Sequence, residues 1–481
     1  MLVMKFGGTS VKDPDAIQRL ARIVGRARDA EIDRAGPSRE VDGRDAGPVV
    51  VVSALSKVTD SLLDLATRAV KGDVNALAQG IAKLRQRHID TASGVVRDPK
   101  RRQGLVEALN VDLAELSTLA HALDVVRDIS PRLQDAIVAI GELASSRIVA
   151  AALEEAGLPS AWVDARTVLV TADDVPATPL MDETRARCDA RLRPLLRSGR
   201  IPVLGGFIGA TAGGVTTTLG RGGSDYSASI FGVAAGAAEI QIWTDVDGML
   251  TADPRVLPAP RVVPRLSFNE ASELAYFGAK VLHPSTITPA VAEEIPVRIL
   301  NSQRPDVPGT LITRHGAADS SLLAAIACKR EVTVIDIVST RMLMAHGFLR
   351  RLFEVFERHR TAVDVVTTSE VSVSVTIDDC DRLDEIVRDL STFADVSIAD
   401  DMALVCAVGE RLRVDPLLSA KVVGALEGIP LRMVSQAGSR RNITFVLPQS
   451  HLVEAMTRLH ERFCAPAADE LAAVSAEDGA R

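Results

Sequence analysis

Aromatic residues are scarce in this chain of 481 residues: they make up 3%, with only two Trp and two Tyr. Platforms for stacking nucleic-acid bases are therefore not expected. A net charge of −8 also removes the electrostatic case for a polyanion or an anionic membrane as partner. Cysteine is sparse too. Cys188, Cys328, Cys380, Cys406 and Cys464 lie far apart with no C-x-x-C spacing, so neither a disulfide framework nor a metal-ligand cluster is expected, and a reducing cytoplasm fits best. Long apolar runs are missing: none approaches eighteen residues, and the one after Tyr226 stops at Glu239. The opening MLVMKFGG is too short in apolar residues for a secretory signal.

What is present is enough apolar sequence, 47%, to bury a large core in two to four domains. Leu2 to Phe6 reads as a short strand ending in Gly-Gly-Thr-Ser, followed by an amphipathic helix with Ile17, Leu20, Ile23 and Val24 on one face. Residues 27 to 48 are charged and rich in Gly and Pro, and read as a solvated loop. Val49 to Val52 is a β-branched run of the kind buried on both faces of a parallel sheet, delivering Ser53-Ala-Leu-Ser-Lys-Val-Thr59 at its end. The pattern is then helical to Glu155, with Ser130-Pro131 opening the helix that carries Gly141-Glu142. Strands return at 161–163, 201–204 and 239–244 between helical segments near 183–197 and 224–236, which predicts an α/β domain with a mostly parallel sheet sandwiched by helices.

Beyond about residue 315 the pattern changes. Strands at 332–338, 363–366, 371–377 and 396–398, with helices at 347–359 and 382–390, spell a ferredoxin-like βαββαβ unit, and a second copy follows to Phe463. Neither copy carries a phosphate loop or a nucleophile cluster, so the pair reads as a sensing or dimerising module. Residues 465–481 read as a disordered tail.

Three glycine-bearing stretches carry the chemistry. Lys5-Phe-Gly-Gly-Thr-Ser10 sets an ammonium beside two glycines whose N–H groups can approach phosphate oxygens, although the order is not that of a Walker loop and the hexapeptide alone is also a tight turn. Leu219-Gly-Arg-Gly-Gly-Ser-Asp225 precedes an apolar helix, whose start favours an anion. Phe277-Gly-Ala-Lys280-Val-Leu-His-Pro284 places a lysine at a helix end, and a helix cap with a solvated lysine would look the same.

Taken together, KFGGTSV, SALSKVTD, Gly141-Glu142, GRGGSDYSA, WTDVDG with TADPR, and FGAKVLHP resemble, in order and spacing, the aspartate kinases of the amino acid kinase family. The resemblance covers residues 1 to about 310, and the two repeats look like the paired ACT domains of such enzymes. It implies a catalytic domain over 1–312 and a regulatory part over 313–464. The latter would divide near 400 into units of about 323–400 and 401–464, one interrupted by the other, with the 324–328 strand belonging to this part.

The resemblance also implies ATP and Mg2+ as cofactors, L-aspartate as substrate, and Lys5 and Asp225 as the catalytic pair. The nucleotide would meet Lys5, Gly7, Gly8, Thr9, Ser10, Thr244, Asp245, Leu250, Arg255, Lys280 and Val281. Leu250 stands where the family often has tyrosine. Aspartate would meet Ser53, Thr59, Glu142, Arg221, Ser224 and Asp225, with Arg221 on its α-carboxylate and Glu142 on its ammonium. An effector amino acid, lysine first, would meet Met342, Gly347, Phe348, Leu349, Asp364, Ser369 and Glu370. A homodimer or higher oligomer through the ACT domains is implied. Two other readings stay open: a catalytically silent amino-acid sensor, and a kinase of another small carboxylate.

Overall fold

The computed structural model describes residues 1–35, 47–277, 284–316, 322–339, 346–436 and 438–464. These fall into two compact units, one of residues 1–249 and 281–314, the other of residues 250–280 and 315 onwards.

Seven strands of the first unit form one sheet in the order β3-β5-β2-β1-β8-β10-β11. They are β1 (Leu2–Phe6), β2 (Val49–Val52), β3 (Ser160–Trp162), β5 (Ile201–Gly205), β8 (Glu239–Thr244), β10 (Val297–Asn301) and β11 (Thr310–Thr313). All pair parallel except β11, which runs antiparallel to β10. The register aligns Lys5 with Val51 on one side and Ile242 on the other, so the ends of β1, β2 and β8 lie level. Every residue of β1 and β2 is buried, which is why their sequences are continuous apolar runs rather than alternating ones. Lys5 is the exception in that row. A small sheet of β4 (Val170–Thr171), β6 (Ile208–Thr211) and β7 (Thr216–Thr218) follows the turn after β5.

Helices cover the sheet: α1 (Pro14–Ala35), α2 (Val58–Lys71), α3 (Val74–Val95), α4 (Pro99–Val126), α5 (Pro131–Glu155), α6 (Met181–Arg191) and α7 (Gly223–Ala235). Helix α1 runs through residues expected to be loop. Its 27–35 stretch is charged, but five of its nine residues are Ala or Arg, which are good helix formers, so charge alone does not mark a break. Residues 36–46 of that expected loop lie outside the described residues, as does the 465–481 segment. Helix α5 starts as its sequence predicts, with Ser130 Oγ accepting from Leu133 N–H and Pro131 in the first turn. It is the one described helix long and apolar enough to cross a membrane, and 83% of that window is buried inside the protein. Its apolar surface faces the core of this unit.

In the second unit β9 (Arg265–Ser267) leads into α8 (Phe268–Tyr276), which is closed at its start by a capping box between Ser267 and Glu270. A six-stranded antiparallel sheet follows in the order β13-β14-β12-β15-β17-β16. Its strands are β12 (Ala325–Val338), β13 (Val366–Thr368), β14 (Ser372–Ile377), β15 (Asp395–Val408), β16 (Met433–Ser435) and β17 (Asn442–Pro448). Helices α9 (Phe348–Arg358), α10 (Leu383–Leu390), α11 (Pro416–Gly424) and α12 (Leu452–Phe463) complete it.

Two repeats with separate strands were expected, yet β12 and β15 each run for 14 residues and serve both repeats. The charged Lys329-Arg330-Glu331 looked like a strand end. It forms instead a bulge, where the β12–β15 register shifts and Glu331 adopts φ 56°. Before the bulge, Ile326 and Cys328 pack with Val405, Phe445, Leu459 and Phe463. After it, Ile335 and Ile337 pack with Phe356, Val375 and Ile386. One continuous strand thus feeds two separate cores.

Candidate active site

The carboxyl ends of the parallel strands gather the first unit's functional side chains, as open α/β sheets do with their ligands. At the end of β1, Lys5 is 7% exposed and its ammonium lies 2.6 Å from Asp225 Oδ1. Asp225 stands in the first turn of α7, after the turn that places Gly222 at φ 72°. A residue with a Cβ resists that conformation, which explains the glycine. The contact joins two glycine-bearing turns more than two hundred residues apart.

The turn after β1 is held on both sides. Gly7 N–H donates to Trp243 O at 3.0 Å, and Ser10 Oγ lies 2.7 Å from Ser302 Oγ. With its N–H committed there, Gly7 acts by leaving room: a Cβ on it would stand 3.5 Å from Lys5 Nζ. A Cβ on Gly8 would come 3.1 Å from Ala54 O and 3.4 Å from Ser56 Cα, so that glycine lets the β1 and β2 turns touch. Thr9, between Gly8 and Ser10, is half-buried.

The β2 turn carries Ser53, whose N–H donates to Phe6 O at 3.1 Å and whose carbonyl accepts from Ser145 Oγ at 2.8 Å. Thr59 is half-buried in the first turn of α2. Beside this turn Glu142 is 3% exposed. Its Oε1 accepts from Ala54 N–H at 3.2 Å, while Oε2 is buried with no partner. Burial, opposed by the Ala54 and Glu142 backbone hydrogen bonds, pushes its carboxyl up to about 8. Gly205 and Gly206 close this side. A Cβ on Gly205 would lie 3.0 Å from Glu142 Cβ, and one on Gly206 would lie 2.9 Å from Ser224 Cβ. Arg221 is exposed just before α7.

Thr244 and Asp245 end β8, with Thr244 Oγ1 3.2 Å from Asp245 Oδ1. Of the other residues expected near a nucleotide, Leu250 forms an isolated bridge with Val262, and Arg255 forks onto Asp253 at 2.7 and 3.0 Å, both within the second unit. Lys280 and Val281 lie outside the described residues.

Sequence reasoning missed the end of β10. Asn301 Nδ2 donates to Asp247 Oδ1 at 2.7 Å, and Ser302 N–H and Oγ both donate to Thr244 O. The signal was there in Val297-Arg-Ile-Leu-Asn, a short alternating run followed by polar residues, but Arg298 hid it. That arginine pairs with Glu239 on the neighbouring strand.

In the second unit, Asp364 lies just before β13. Its side chain is 4% exposed, with Oδ1 2.7 Å from Lys329 Nζ and Oδ2 without a partner. Lys329 also reaches Asp378 at 2.9 Å and lies 5.4 Å from the Tyr276 ring centroid. Gly347, at φ 83°, precedes α9, which begins with Phe348 and Leu349. Ser369 and Glu370 are exposed in the β13–β14 turn. Met342 lies outside the described residues. Among the described residues no group of three or more His, Cys, Asp and Glu is placed to hold a metal ion.

A sequence profile of the amino acid kinase family matches residues 1–301, and one of the ACT domain matches 405–463. The lysine-sensitive aspartokinase 3 of Escherichia coli K12 is 35% identical over 96% of this chain and 98% of its own length. The chain belongs to the aspartokinases. Its fold agrees with that family: the crystal structure of E. coli aspartokinase III with lysine and aspartate superposes with a TM-score of 0.80 at 33% identity, covering 96% of this chain and 99% of that one. The form with aspartate and ADP gives 0.75 at 33% identity, with the same coverage. A member of this family is a phosphotransferase with a carboxyl group as acceptor.

Proposed function

We propose that this chain transfers the γ-phosphoryl group of ATP to the β-carboxylate of L-aspartate, giving 4-phospho-L-aspartate, the entry to lysine, threonine and methionine biosynthesis. The observation that carries this reading is the 2.6 Å contact between Lys5 and Asp225, which brings the two glycine-bearing turns to one place. An aspartate β-carboxylate is ionised near neutral pH and needs no general base. Its oxygen forms the new P–O bond while the bond to the ADP oxygen breaks, so catalysis is positioning and charge stabilisation.

Each residue's role follows from its place. The Lys5 ammonium, held by its ion pair with Asp225 at 2.6 Å, would direct its positive charge toward the phosphate oxygens. Gly8 and the start of α7 add backbone groups, and Ser224 with Arg221 and Glu142 orients aspartate. Mg2+ would fit a site without a carboxylate cage, since phosphate oxygens and water would supply most of its ligands, and it would add positive charge there. Residues 1–312 would form the catalytic part and 313–464 the regulatory part, a lysine-like effector meeting the region of Gly347 and Asp364, with ACT domains pairing two or more chains in the cytoplasm.

The test is a hydroxamate assay with ATP, Mg2+ and a panel of carboxylates including aspartate and glutamate. Acyl phosphate from aspartate alone is expected. A protein that binds ATP and forms no hydroxamate with aspartate would overturn the reading and favour a sensor.

A further inference from the structure

Among the described residues the site holds two acids, half-buried Asp225 and buried Glu142, and Lys5 pairs with the first. Asp225 has the Lys5 ammonium at 2.6 Å. Glu142 has a single backbone N–H on Oε1 and nothing on Oε2, in a cradle that leaves it 3% exposed. Among the described residues, the elements packed there form no ion pair with it. The β2 turn brings Ser53 and Ala54, and the end of β5 brings Gly205. From α2, Val58 and Leu62 face the adjacent Gly141. On its own helix, Asp135 accepts from Thr218 and Arg147 is forked onto Asp112. No charged side chain contributes to the upward push on its carboxyl. A carboxylate left alone in such a place is costly, and the group remains neutral until a cation arrives.

We propose that Glu142 is protonated while the site is empty and releases that proton to solvent when the substrate's ammonium binds against it, so that aspartate binding and proton release are one event. The balance is simple: a neutral carboxylic acid and an ammonium become a carboxylate–ammonium pair, and one proton goes to the buffer. The inference rests on the reading that Glu142 receives the substrate's ammonium. It adds that the enzyme holds aspartate more tightly as pH rises toward 8, through a group that touches neither phosphate nor Lys5.

Calorimetry on the full chain with saturating ADP tests it. Titrating L-aspartate at pH 6.5 in phosphate and in imidazole gives the number of protons released from the dependence of heat on buffer. The expected number is close to one, falling toward zero above pH 9. The dissociation constant should rise about fiftyfold between pH 8 and pH 6, the change expected for a site that must lose a proton with a pKa of about 8. In Glu142→Gln, which keeps the shape of the neutral acid, both the release and the pH slope should vanish. Glu142→Asp should retain the release with weaker binding. Wild-type heats independent of buffer, or an unchanged release in Glu142→Gln, would overturn the proposal. If aspartate gives no heat at any pH while another amino acid does, the substrate reading fails, and the same titration with that amino acid decides the proton question.

Discussion

Each unit holds a lysine–aspartate pair largely shielded from solvent, and the two pairs are set differently. Lys5 has one carboxylate partner and sits among glycines at the ends of parallel strands. Lys329 has two, Asp364 and Asp378, and lies near an aromatic face at a bulge in an antiparallel sheet. Buried ion pairs are poor stabilisers, because desolvation consumes most of the attraction, so neither is explained by stability. In the proposed function, the first would offer its ammonium to phosphate beside the glycine turns. The second is a closed knot: burial would lower the Lys329 ammonium, but the hydrogen bonds it donates to its two carboxylates hold it up, so it stays charged. The free acceptor there is Asp364 Oδ2, and burial pushes that carboxyl up against the pull of Lys329. On the proposed function, one pair would present a cation to an anionic ligand, and the other a carboxylate oxygen to a cationic one.

The largest effect is expected from the same substitution in both pairs. Lys5→Met should lower kcat by about a thousandfold or more, the scale of losing a preoriented charge at a transition state. Because it also strands Asp225, the double variant Lys5→Met/Asp225→Asn should melt close to the wild type while remaining inactive. A Lys5→Met enzyme within tenfold of the wild-type rate would remove Lys5 from the chemistry.

A steric change tests whether the glycine cradle sets the difference. Gly206→Ala would put a Cβ 2.9 Å from Ser224 Cβ and 3.0 Å from its Cα, forcing the start of α7 to move. We expect kcat/KM for aspartate to fall by about ten- to a hundredfold, as misplacement of a positioned group does. Gly104→Ala in α4 meets nothing within 4 Å and should leave the kinetics unchanged. Equal effects from the two substitutions would deny the cradle its role.

At Lys329 the expectation reverses. Lys329→Met should leave the uninhibited rate within twofold and raise the effector concentration for half-inhibition by about tenfold, since Asp364 would then take a proton in its buried place. Asp364→Asn should do the same, and Lys329→Arg should restore much of the inhibition. Unchanged inhibition by lysine in both Lys329→Met and Asp364→Asn would detach this knot from effector binding.

How much of this was legible in the sequence follows from how each residue announces itself. Lys5 and Asp225 each sit in glycine-rich turns that a strand or helix would not otherwise tolerate, so both stood out, and family resemblance joined them. Gly141-Glu142 was visible, but its isolation from any cation is a three-dimensional fact. Lys329 was invisible as a site residue, because a lysine in a Lys-Arg-Glu run reads as solvated charge until Asp364 and Asp378 arrive from 35 and 49 residues away. Asn301 and Ser302 were missed with their strand, which has only three apolar residues and an Arg298 whose partner, Glu239, lies on the neighbouring strand. The fused strands β12 and β15 failed for a related reason: charge at a bulge resembles charge at a loop.

That bulge supplies the finest test of what holds the second pair in place. Glu331 adopts φ 56° there, a conformation that costs an L-residue about 1–2 kcal/mol, while its N–H donates to Gln449 Oε1 at 2.6 Å. Glu331→Gly removes the conformational cost but loses about 0.5–1 kcal/mol in chain entropy, so a gain of about 0.5–1 kcal/mol is expected in denaturant unfolding of this region. The backbone hydrogen bond and the Lys329 contacts do not involve the Glu331 side chain. If the two carboxylates hold Lys329, half-inhibition should stay within twofold of the wild type. If the strained turn holds it, relaxing Glu331 would loosen the knot and shift inhibition as Lys329→Met does, and the contrast between an open pair and a closed one would reduce to a difference in backbone.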